Sequence, residues 1–133
     1  MAHYLGPKLM EGASVVLVGS NIALRAIPDS AAYSVAKAGV HMLARVLALE
    51  WSARRIRCNA IAPGPILTPM VEARLAASAD PMADLTRLAG VNPLRRLGTE
   101  AEVAALAAHL MGDESAWTTG VVIPIDGGAD AVY

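Results

Sequence analysis

The chain has 133 residues, 11 of them basic and 12 acidic, a formal net charge of −1, a hydrophobic fraction of 55%, no Phe and one cysteine, Cys58. One domain fits that length, and the charge balance excludes the basic stripe of a nucleic-acid binder. A lone cysteine excludes an intrachain disulfide and points to a cytoplasmic home, while the longest uncharged stretch, Cys58–Val71, is interrupted by prolines and falls short of the roughly 20 apolar residues of a membrane span.

Met1–Glu11 reads as a short helix or helix remnant closed by Gly12. Ser14–Gly19 is a continuous apolar, β-branched run, the pattern of a strand covered on both faces in a parallel sheet. Ser20–Ser30 is a loop punctuated by Pro28 and Asp29. A long helix is predicted over Ala31–Arg55, with Val35, Gly39, Leu43, Val46 and Leu47 as its apolar stripe. Ser30 or Asp29 caps its start, and Arg54 and Arg55 stand where the helix dipole favours cations. Ile56–Ala62 is a second strand, so strand, helix and strand form a right-handed βαβ unit with parallel strands.

Pro63–Pro69 holds three prolines and is expected to be irregular. Met70–Ala89 is helical but broken near Asp80–Pro81, and Gly90–Gly98 is loop. Thr99–Met111 is a helix opened by the capping-box pattern Thr99-x-x-Glu102. After a connection over Gly112–Thr119 comes a third strand, Gly120–Ile125, and an Asp126-Gly127-Gly128 turn. Strands separated by helices make an α/β layered architecture.

Tyr33 and Lys37 fall four apart on the long helix and so share a face. A free phenol has a pKa of about 10 and is a poor base near neutrality; a nearby ammonium favours the phenolate. Such a pair can give and take a proton in carbonyl chemistry. Ser20 follows directly on the first strand, at the strand end where open α/β sheets place ligand groups, and can donate a hydrogen bond to a substrate oxygen. Cys58 reads as a buried, inert thiol. His3, His41 and His109 are far apart and lack metal-ligand spacing, so no metal site is expected. Asp126 suits a structural role in its turn.

Gly19-Ser20 followed by Ala32-Tyr33-Ser34-Val35-Ala36-Lys37-Ala38-Gly39 resembles the active-site segment of the short-chain dehydrogenases/reductases. The likeness continues through Arg57-Cys58-Asn59-Ala60-Ile61-Ala62-Pro63-Gly64-Pro65-Ile66-Leu67-Thr68-Pro69, Pro93–Gly98, Glu102-Val103-Ala104, Thr119-Gly120 and Ile125–Gly128, in order and over most of the chain. The resemblance implies an NAD- or NADP-dependent oxidoreductase that interconverts an alcohol and a carbonyl. Tyr33 would be the acid/base, Lys37 would lower its pKa and bind the nicotinamide ribose, and Ser20 would orient the substrate carbonyl. Pro63, Gly64, Ile66 and Thr68 would line the nicotinamide side, with backbone groups at Ile66 holding the carboxamide. Leu67–Ala89 would be the substrate lid, with Asn21 and Met70 as substrate neighbours.

The family's Gly-rich turn, its Asn-Asn-Ala-Gly segment and the asparagine of its proton relay have no counterpart in this sequence. The expectation is therefore one partial Rossmann-type domain over residues 1–133, a doubly wound parallel sheet reduced to its last three strands and their helices. An active homo-oligomer, dimer or tetramer, in full-length form is one reading. A truncated, non-catalytic chain that keeps the oligomer interfaces is the other. Neither involves nucleic acid or a membrane.

Overall fold

The computed structural model describes residues 2–131; Met1, included in the expected first helix, lies outside them. A short helix α1 (Ala2–Leu5) runs into a 3-10 turn over Gly6–Lys8. Strand β1 (Ser14–Val18), helix α2 (Ala31–Glu50) and strand β2 (Arg57–Pro63) then form the expected βαβ unit. Two residues, β3 (Ile66–Leu67), precede helices α3 (Pro69–Ala76) and α4 (Pro81–Ala89). The chain closes with β4 (Gly98–Thr99), α5 (Glu100–Met111) and β5 (Val122–Ile125).

The sheet order is β1-β2-β5, and both pairings are parallel, with Val16 opposite Asn59 and Ile61 opposite Ile123. The central strand β2 is buried from Cys58 to Ala62. Alternation along the strands assigns the two faces. Val15, Leu17, Cys58 and Ala60 pack with Ala44, Leu47 and Ala48 of α2. On the opposite face, the Ser14 hydroxyl and the Arg57 guanidinium both donate to the Leu110 carbonyl at the end of α5, at 2.7 and 2.8 Å. Burial pushes the Cys58 thiol up to about 11, so it stays protonated and inert near neutrality. The outer edge of β1 carries no strand among the described residues, and β1 is only half-buried, with Val18 exposed.

Four expectations are corrected. The predicted stripe on α2 faces largely outward: Val35 is 73% exposed and Leu43 and Val46 are also exposed, while Leu47 alone of the stripe is buried as expected, on a face it shares with His41, Ala44 and Ala48. Alanines let the helix approach the sheet closely, and periodicity alone does not say which of two apolar faces a partner covers. Ser30 holds the N-cap position, but its hydroxyl bonds the Ile27 carbonyl and Ser34 Oγ instead of the first free N–H groups. Helix α2 stops at Glu50, so Arg54 and Arg55 lie beyond its last turn. Arg54 donates to the carbonyls of Gly6 and Leu9, and Arg55 pairs with Glu11 at 2.8 Å. Finally, the proline-rich loop is not wholly irregular: Ile66 and Leu67, lying between its prolines, keep their N–H groups and pair in parallel with Gly98 and Thr99.

The break between α3 and α4 has a local cause. The Asp80 carboxylate accepts from the Ala83 N–H at 3.0 Å and Pro81 opens the next helix. The capping box at α5 forms as expected: Thr99 Oγ1 accepts from the Glu102 N–H, and the Glu102 carboxylate accepts from the Thr99 N–H. Arg96, bonded to the same carboxylate, holds the Glu102 pKa down to about 2. Thr99→Ala removes the reciprocal cap and is expected to lower stability by about 1 kcal/mol, read as a shift in the urea midpoint at constant slope.

Candidate active site

The C-terminal ends of the three parallel strands converge, and each passes into a turn that carries a polar group. β1 ends at Gly19-Ser20, β2 at Pro63-Gly64, and β5 at Asp126. Parallel strands align their ends this way, which is why open α/β sheets bind ligands there.

Ser20 is buried, in extended backbone, and caps a 3-10 turn over Asn21–Ala23 by accepting from the Ile22 N–H at 3.4 Å. A hydroxyl has one proton to donate, and among the described residues that proton is unspent. Tyr33 stands in the first turn of α2, 50% exposed, and its hydroxyl has no hydrogen-bond partner among the described residues. Lys37 lies one turn on. Its Nζ is 5.7 Å from the centre of the Tyr33 ring, within reach of the ring's electrostatic attraction. The same ammonium donates to the Val18 carbonyl at 3.1 Å. It thereby caps a carbonyl on the uncovered edge of β1 and stays between that edge and Tyr33.

Asn21 is 4% exposed, and its amide donates to Asp126 Oδ2 at 3.2 Å. Asp126 accepts in addition from the N–H groups of Gly128 and Asp130, at 3.0 and 2.8 Å. Gly127 and Gly128 have φ of 66° and 85°, left-handed values that glycine adopts without strain. A Cβ on Gly64 would meet Asp126 Cβ at 2.7 Å. Asp126 therefore joins the Ser20 turn to the Pro63-Gly64 loop. The sequence assigned it only to its own turn, because its partner Asn21 is more than a hundred residues away.

Of the other expected site residues, Pro63, Gly64 and Ile66 are half-buried beside Asp126. Thr68 caps α3, its Oγ1 accepting from the Val71 N–H at 3.3 Å. Met70, on α3, is exposed. A cleft of about 340 Å³ lies behind this loop, lined by Pro65, Ile66, Asn92, Leu94, Ile125 and Gly127 among others, and excludes Ser20, Tyr33 and Lys37. The residues at the strand ends are of a kind that would suit a nicotinamide: an ammonium, an exposed phenol and a glycine turn lie near the C-terminal ends of the strands. The described residues contain no glycine-rich turn at a helix start for a pyrophosphate. No three His, Cys, Asp or Glu side chains converge as a metal cluster among them, and no helix there is long and apolar enough to cross a membrane.

Sequence reasoning missed His41. It is buried beneath the Ser20 turn, where its Nε2 accepts from the Ser20 N–H at 3.4 Å. The available signal was its position four residues after Lys37, on the same helical face.

A family model described as enoyl-(acyl carrier protein) reductase matches residues 1–130. The chain is 37% identical over 126 residues to levodione reductase of Leifsonia aquatica, covering 92% of this chain and 47% of that protein. It is 41% identical over 124 residues to the oxidoreductase UcpA of Salmonella typhimurium, with 92% and 47% covered. The crystal structure of a short chain dehydrogenase family protein from Francisella tularensis superposes with a TM-score of 0.88 at 31% identity, covering 96% of this chain and 55% of that one. The levodione reductase structure gives a TM-score of 0.81 at 39% identity, covering 89% and 46%. The chain spans about half the length of the curated relatives it matches.

Proposed function

Because the chain belongs to the short-chain dehydrogenase/reductase family, we propose that the full-length protein is an NAD(P)-dependent oxidoreductase interconverting an alcohol and a carbonyl, with Tyr33 as its acid/base. The observation that carries the reading is the exposed Tyr33 phenol with the Lys37 ammonium over its ring. The nicotinamide supplies or accepts the hydride when bound. In the reducing direction, the Tyr33 hydroxyl gives its proton to the substrate oxygen as the carbonyl carbon is reduced; in the oxidising direction, the phenolate takes that proton back. The Lys37 ammonium stabilises the phenolate by its charge and holds the nicotinamide ribose. The Ser20 hydroxyl, its proton unspent, donates to the substrate oxygen and fixes its orientation. Pro63, Gly64, Ile66 and Thr68 line the nicotinamide side, and α3 with α4 cover the substrate, with Met70 turned toward it on closure.

Oxidation of NADH and NADPH by the full-length protein against a panel of small ketones and aldehydes tests this. Turnover with at least one carbonyl is expected, and none with either nucleotide sinks the proposal. We also propose that the protein works as a homo-oligomer, dimer or tetramer, in the cytoplasm. The exposed apolar row Val35, Met42, Leu43, Val46 and Leu49 on α2 supports self-association.

That row also favours a second reading, a non-catalytic chain that retains the interface. The Lys37 contact to the uncovered β1 edge agrees with it. Titrating the 133-residue chain with NADH and NADPH separates the two, since micromolar binding removes the second.

A further inference from the structure

We infer that His41 is a positioning residue for Ser20, its Nε2 lone pair holding the Ser20 backbone N–H and so setting where the Ser20 hydroxyl stands. The functional half of this inference rests on the role proposed above for Ser20; the structural half does not.

His41 is 5% exposed on the face of α2 that packs on the sheet. Its Nε2 lies 3.4 Å from the Ser20 nitrogen, which donates to it. On the other side, the preceding Gly19 N–H donates to the Ile61 carbonyl of β2 at 2.8 Å. The Gly19–Ser20 segment is thus held between a strand carbonyl and an imidazole.

Gly19 gives a second, independent reason. A Cβ there would stand 2.1 Å from His41 Nε2 and 2.4 Å from its Cδ2. The φ of Gly19 is not in the left-handed region, so the glycine is required by space and not by backbone conformation. The imidazole fills the volume that any other residue before Ser20 would occupy.

An accepting Nε2 carries no proton, so the bond exists only while His41 is neutral. Burial first, then the charges of Arg45 and Lys37, hold its pKa below the ordinary histidine value. Both cations are on its own helix. From the segment that follows β1 it meets the space left by the missing Gly19 Cβ and the Ser20 N–H. Protonation turns Nε2 into a donor facing a donor, which releases the Ser20 turn. The folded state binds this proton less readily than the unfolded chain, so stability falls as pH drops below the unfolded histidine value near 6.5.

A structural core histidine would fill the same space, and two substitutions separate the roles. Leu keeps volume without an acceptor; Gln keeps an acceptor. His41→Leu in the full-length protein is expected to lower kcat by about tenfold or more, with KM for the carbonyl changed less than about twofold. His41→Gln should restore most of kcat and lose the acid limb that His41 imposes on the kcat–pH profile. Equal kcat in His41→Leu and wild type, or equal losses in the Leu and Gln variants, overturns the role. The structural half is read on the 133-residue chain by NMR: the Ser20 amide shift should titrate together with the His41 ring. An invariant Ser20 amide through that titration overturns the inference, even where His41→Leu does not fold. If the protein shows no turnover at all, the functional reading fails while this co-titration still decides whether His41 holds Ser20.

Discussion

On the role proposed for it, Tyr33→Phe in the full-length protein is expected to lower kcat by roughly a hundred- to ten-thousandfold, the range that a positioned proton donor contributes, with the fold unchanged. The substitution removes one oxygen. That hydroxyl has no hydrogen-bond partner among the described residues, and the side chain is half in solvent. No buried group is orphaned and no cavity opens, so the stability change should stay within about 0.5 kcal/mol. The Lys37 ammonium keeps an aromatic ring beneath it and its bond to the Val18 carbonyl, so cofactor affinity should change little. The loss therefore falls on kcat and on kcat/KM together, the signature of an interaction made in the transition state. Steady-state kinetics beside a thermal melt check this, and near-normal turnover in a folded variant removes Tyr33 from its role.

Arg57→Ala is expected to destabilise the fold by about 3 kcal/mol. Arg57 is on β2, yet its guanidinium serves the far end of another element. Nη1 donates to the Leu110 carbonyl and the Ser115 hydroxyl, both at 2.8 Å, and to the Thr118 carbonyl at 3.4 Å; Nη2 donates to the Gly112 carbonyl at 3.0 Å. The last carbonyls of a helix have no partners within it, and here Arg57, with Ser14, Ser115 and Asn59, serves the Leu110 carbonyl of α5 and those of the segment leading to β5. Alanine removes the charged donor from all four acceptors at once, although the Leu110 carbonyl keeps the Ser14 hydroxyl, the Gly112 carbonyl keeps Ser115 and the Thr118 carbonyl keeps the Asn59 amide. A hydrogen bond from a charged donor is worth about 1.5–3 kcal/mol, and the remaining donors together with partial solvent access at this half-buried site hold the sum well below four such bonds. A fall in melting temperature of roughly 10 °C follows for a domain of this size. Arg57→Lys should recover only a minor part, because a single ammonium does not reproduce the planar fork. A loss below about 1 kcal/mol in urea denaturation would show that this clamp does not hold α5.

Much of the architecture was legible because it is written in local patterns. The β-branched run ending at Val18, the capping pair Thr99 and Glu102, and Pro81 after Asp80 each name an element boundary through contacts within a few residues. The same holds for Tyr33 and Lys37, whose spacing on one helix is enough to bring them together. Elsewhere a competing contact decided. Ser30 is well placed to cap α2, but its hydroxyl bonds the Ile27 carbonyl. The apolar stripe through Val35 and Leu43 is periodic, yet it is not the face that meets the core. Two faces of α2 are apolar, and the small one lies closer to the sheet.

By itself the sequence determined the order of the main strands and helices, the parallel βαβ unit, the family resemblance and the helical pair that carries the proposed chemistry. These depend on periods of two and 3.6 residues and on capping, which act over a few positions. Only the tertiary structure decided which face of α2 meets the sheet, that His41 lies under Ser20, that Asp126 joins Asn21 to the Gly64 loop, and that Ile66 pairs with Gly98. Those contacts cross 20 to more than a hundred residues of chain. They are selected by close packing, by the space that Gly19 and Gly64 leave open, and by the need of each buried polar group for a partner. None of these is a property of a sequence window.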